Sequence, residues 1–241
     1  MTEQGKHRLP SKMILLSSAI AIGALVAIHL LLQYLNLEVF NEANGRIFEL
    51  SNRFDLDDES SVPTWFSQFL LLAIGLVSGL AAYLQKERAM RWVWGVVAFL
   101  GITMSIDEIA SLHEHSLQTI HVYFFDEAAP TITENAWLLV LPIILVFATM
   151  FGYVLYRYFP RRTSGLFILG GTIFLTGAVA VDALSDVTLS SAFLQQGILV
   201  AIEESLELAG SAVVLYAVID YLERFRRKEL AKTLQIISKA L

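Results

Sequence analysis

The densest group of chemically capable side chains lies in Ser105-Ile106-Asp107-Glu108-Ile109-Ala110-Ser111-Leu112-His113-Glu114-His115, where five ionisable residues close an otherwise apolar run. A second group, Glu203, Glu204 and Glu207, opens the last apolar run, and Asp182 and Asp186 close the one before it. Carboxylates at the edge of hydrocarbon are costly unless they face an ion, a cavity or a partner. Carboxylates suit hard cations, and an added histidine shifts the preference toward zinc, manganese or iron. On that basis Asp107, Glu114, His115, Asp182, Asp186, Glu203 and Glu207 are the expected ligands of a divalent metal ion. A metal-bound water gives up a proton to a nearby unliganded carboxylate, and Glu108 and Glu204 are the expected catalytic bases. No Glu-x-x-His or His-Glu-x-x-His motif is present. The reading therefore rests on convergence between helices and not on a local signature.

Depth and helical phase argue for that convergence. Asp107, Asp182, Glu207, His29 and Gln68 each fall 15 or 16 residues from the basic end of their apolar run, which places them at one level at about 1.5 Å per residue. At about 100° per residue, Asp107, Ser111 and Glu114 share a stripe with Glu108 and His115 on its flank. Glu203 and Glu207 share another, with Gly210 below and Glu204 beside Ser211 on the flank. Small residues there let a neighbouring helix approach closely. His29, alone on an apolar helix, reads as a hydrogen-bonded packing residue. His113 and His121 read as interfacial.

The elements that must position these groups are membrane helices. The chain is 56% hydrophobic and 17% charged, with mean hydropathy +0.60, whereas soluble domains are roughly 45 to 50% apolar even with glycine included. Cysteine is absent. That excludes disulfides, thiolate metal sites and a thiol nucleophile. Six apolar runs, residues 13–35, 65–84, 92–112, 137–156, 166–186 and 202–222, each approach the ~20 residues that cross a bilayer. Pro63 behind Ser60 and Ser61 marks a helix start, and Pro142 is expected to bend the fourth run. The first run reads as a retained span and not a cleaved leader.

Of the 17 Lys and Arg residues, all but Arg46 and Arg53 fall on one side of such a bundle. The positive-inside rule makes that side cytoplasmic and places both termini there. All of the 23 acidic residues except Glu3, Glu87, Asp220, Glu223 and Glu229 fall on the other side. The expected fold is therefore all-α. It is a six-transmembrane-helix bundle in the bacterial inner membrane, with a cytoplasmic N-terminus (1–12), one membrane domain (13–222) and a basic amphipathic cytoplasmic tail (223–241). The tail is expected to meet anionic lipids. In the outer loop after the first span, Phe40, Ile47, Phe48, Leu50, Phe54 and Leu56 interleave with Glu42, Arg46, Glu49 and Arg53 as in a short interfacial helix. Asp55, Asp57, Asp58 and Glu59 lack the spacing of a calcium loop and read as a cap on the next helix.

Phe54-Asp55-Leu56-Asp57, Val62-Pro63-Thr64-Trp65-Phe66-Ser67, Ile106-Asp107-Glu108, His113-Glu114 and Glu203-Glu204 with Glu207 together resemble a group of uncharacterised bacterial multi-pass membrane proteins, which brings no activity with it. A looser likeness is to the alkaline ceramidase and progestin-receptor type of membrane hydrolase. Those proteins use three histidines, an aspartate and a serine over seven spans, a set this chain lacks. Three functions fit the residues: a metal-dependent hydrolase acting on a lipid or amphipathic substrate, a cation- or proton-coupled transporter, and a non-catalytic membrane subunit. The lipid bilayer is the expected partner in each, and nucleic acid is not expected. Whether the chain is an enzyme, and its oligomeric state, are left open by the residues.

Overall fold

The computed structural model describes residues 10–40, 45–110, 141–181 and 192–240. Every regular element among them is a helix: α1 (Pro10–Tyr34), α2 (Arg46–Arg53), α3 (Val62–Leu84), α4 (Arg88–Ala110), α5 (Leu141–Tyr158), α6 (Arg161–Leu175) and α7 (Val200–Ala240). Three π-helical stretches adjoin them. Leu35–Phe40 continues α1, Thr176–Val181 continues α6, and Phe193–Leu199 leads into α7.

α7 is the axis of the bundle, packed against α1, α3 and α6, while α3 and α4 form an antiparallel pair. α5 lies at the margin, with Leu155 its one fully buried side chain. Small residues set close approaches in both helix pairs. A Cβ added to Gly210 of α7 would stand 2.6 Å from the Gly170 carbonyl oxygen of α6, and one added to Gly101 of α4 would stand 2.7 Å from the Gly75 nitrogen of α3. With only hydrogens in the gap, the helix backbones gain dispersion contacts that larger side chains would prevent.

The helix ends sort into two groups. At one, the Ser11 amide and hydroxyl donate to the Glu223 carboxylate at 2.7 and 3.1 Å. Arg162 at the start of α6 reaches the Tyr216 hydroxyl and Asp220 at 3.0 and 3.2 Å. Arg224 meets the second Asp220 oxygen at 2.6 Å and Thr163 at 3.2 Å. Beneath this network Trp94, fully buried, stacks on Phe159 at 4.4 Å and contacts Tyr221 at 4.8 Å. The starts of α1 and α6, the turn from α3 to α4 and the middle of α7 thus share a basic end.

Among the described residues, five helices are long and apolar enough to cross a membrane: Pro10–Phe40, Val62–Leu84, Arg88–Ala110, Leu141–Tyr158 and Arg161–Val179. Their outward faces carry Ile143 (69% exposed), Phe99 (67%) and Met150 (65%), an apolar girdle far larger than a water-soluble monomer displays. This is a membrane protein. The sixth expected run, residues 202–222, is not among the five. It forms the first half of α7, and α7 continues without a break through the expected tail. Pro142 falls in the first turn of the described part of α5.

The short outer helix expected around Ile47 is α2. Ser61 caps α3, its hydroxyl accepting from Thr64 N–H at 3.2 Å, with Pro63 in the first turn. Asp58 accepts from the Ser60 amide and hydroxyl at 2.7 Å each, and its carbonyl accepts from the Thr64 hydroxyl at 2.7 Å. The acidic run is therefore partly the helix cap its spacing implied.

Candidate functional site

The expected site residues gather, where described, at the end opposite the basic network. Glu204, half-buried on the first turns of α7, feels most strongly the charges of Glu207, then Glu108 of α4, Asp57 of the loop between α2 and α3, and Glu203. Carboxylates from two helices and a loop therefore share one neighbourhood. α6 closes its side: a Cβ on Gly177 would stand 2.6 Å from the Glu203 carbonyl oxygen and 3.0 Å from Cγ of Glu207. Glu108, expected on the flank of the acidic stripe, acts on Glu204, and Asp107 is half-buried one residue earlier.

Among the described residues no three His, Asp or Glu side chains are grouped so as to hold a metal ion. Asp107, Glu203 and Glu207 thus do not form the expected ligand set by themselves. The other expected ligands, Glu114, His115, Asp182 and Asp186, lie outside the described residues.

His29 is the best-defined polar group at this end and is 1% exposed. Its Nδ1 accepts from the Leu56 backbone N–H at 3.2 Å. A ring nitrogen that accepts carries no proton, so in this state the proton is on Nε2, which donates to the Gly197 carbonyl oxygen at 3.2 Å. The ring joins α1 to the loop between α2 and α3 and to the π-helical stretch before α7. It is a packing histidine, as its isolation on an apolar helix implied. The loop partner was not legible. Asp55 Oδ1 lies 3.4 Å from Nδ1, and its Oδ2 accepts from the Gln33 side chain at 2.8 Å. Burial pushes the Asp55 carboxyl above the ordinary carboxylate value, against the opposing pull of the Asp57 N–H, His29 and Gln33, while Asp58 adds to the rise.

The three π-helical stretches all border this end. One follows Gln33, one carries Gly177, and one carries Gly197. Such turns are well under 1% of residues in soluble proteins and concentrate at functional sites. Sequence reading by the 3.6-residue period has no signal for them.

A family profile described as Domain of unknown function (DUF8692) matches residues 19–221. The chain belongs to this family. No curated protein and no solved structure matches it. The DUF8692 match runs from Ala19 of α1 to Tyr221, in the middle of α7, and so includes His29, Asp55, Glu108 and the three glutamates of α7.

Proposed function

We propose that this DUF8692 protein is a multi-pass inner-membrane protein, both termini cytoplasmic, whose acidic outer end takes up and passes protons in a coupled transport step. The observation that carries the reading is the His29–Asp55 pair, in which a buried ring that holds the loop backbone lies 3.4 Å from a carboxyl that burial keeps above its ordinary value. Glu204 and its neighbouring carboxylates supply acceptor groups at the same end. The orientation is supported by the basic end, where the start of α1, the α3–α4 turn, the start of α6 and residues 220–229 of α7 meet. Exposed Arg226, Arg227 and Lys228 on α7 suit anionic lipid headgroups on that side.

The test is proton flux into liposomes loaded with a pH-sensitive dye. The expected result is a flux in the wild type under an imposed pH gradient that falls at least about tenfold in Glu204→Gln, the loss expected when a positioned proton carrier is removed. Absence of flux in folded wild-type protein overturns the reading.

The metal-dependent hydrolase reading is supported by a lateral groove of about 410 Å³ between α1 and α7, lined by Leu15, Ile22, Val26, Ala209 and Ser205. Its apolar wall suits a lipid chain, and Ser205 adjoins Glu204 in sequence. Elemental analysis showing about one or two zinc, manganese or iron ions per purified chain supports it; none found removes it.

A further inference from the structure

A second feature of the outer side lies apart from His29 and the glutamates. Arg46 and Arg53 are the two basic residues that the span pattern leaves on this side, and both are exposed on α2, seven residues apart and thus on one face. Glu49 lies between them on that face. These three side chains, with Leu50, Asn52, Asp58 and Ser60, line an open cavity of about 830 Å³. Spacings of three and four residues would allow Arg46 and Arg53 to pair with Glu49. Among the described residues, however, no hydrogen bond or ion pair ends on either guanidinium or on the Glu49 carboxylate. Asp58 is fixed on the wall by the Ser60 amide and hydroxyl.

Two cations and two anions thus line one cavity, and the local charge sums to zero. A simple anion there would meet Glu49 and Asp58 as well as the arginines. A ligand carrying a phosphate and an ammonium a few bonds apart meets both pairs at once, the guanidiniums binding phosphate oxygens and the carboxylates accepting ammonium N–H groups. The setting supplies such ligands. α2 lies between the outer ends of α1 and α3, and exposed Leu50 beside it, with Val39 and Phe40 before it, offers apolar surface at headgroup depth.

We propose that the α2 cavity binds a phosphate–ammonium headgroup, that of phosphatidylethanolamine in the outer leaflet. The site stands whether or not protons move through the acidic end.

The experiment is native mass spectrometry of the full chain released from micelles holding equal phosphatidylethanolamine and phosphatidylglycerol, with and without soluble phosphoethanolamine. The expected result is retention of phosphatidylethanolamine over phosphatidylglycerol by about fivefold, as for one exposed set of charge pairs. That preference should vanish in the Arg46→Gln, Arg53→Gln double variant and in Glu49→Gln. These residues are exposed, so unchanged melting of the variants confirms that they remain folded. Equal retention of the two lipids by the wild type, or a preference that survives in both variants, overturns the proposal. Binding of soluble phosphoethanolamine that both variants lose, without lipid preference, likewise overturns the lipid assignment and gives the cavity to a free phosphoamine.

Discussion

Both ring nitrogens of His29 are satisfied by backbone groups more than two dozen residues away, Leu56 N–H on one side and Gly197 C=O on the other. Truncation leaves both groups orphaned in a buried place and opens a cavity. His29→Ala should therefore lower stability by about 3 kcal/mol or more, read as a fall in melting temperature of the purified protein; a change within error would contradict the tether. Asp55 gives a pH dependence of definite sign. Its carboxyl sits above its ordinary value in the folded chain, so the stability it contributes is fully present below the unfolded carboxylate range and is lost as pH rises through the raised folded value. Asp55→Asn removes that titration. The variant should gain stability relative to wild type as pH rises from about 4 toward 7, and a gap that stays constant would show that Asp55 does not titrate this way. The solitary His29 was legible in the sequence because burial of an isolated histidine demands partners. Asp55 was not, because the non-periodic turn after α2 carries it back to α1 and no local pattern encodes that return.

The helix-forming runs were readable because apolar length and terminal residues act locally: Ser61 and Pro63 start α3 as their chemistry requires. Close approach at Gly210 was readable for the same reason, as a small residue below an acidic stripe. Gly210→Leu should force α6 from α7 and destabilise the fold by at least about 2 kcal/mol. Gly23→Ala, where an added Cβ meets nothing within 4 Å, should be neutral or slightly stabilising. Comparable melting of both variants would show that the α6–α7 contact does not limit stability. The π-helical stretches escaped the periodic reading, because a wheel drawn at 3.6 residues per turn has no place for them.

Across the whole molecule, the absence of native cysteine makes the proposed orientation directly measurable. Ser60→Cys should react with a membrane-impermeant maleimide on intact cells, and Arg227→Cys only after permeabilisation; the reverse pattern would invert the topology. Both positions are exposed. The long axial helix has a further consequence. α7 contains 41 residues, about 60 Å of rod, and Asp220, gripped by Arg162 and Arg224, stands at its midpoint. That grip pins the rod at its centre, so a tilt of one arm of α7 about this point carries the other arm the opposite way through a comparable arc.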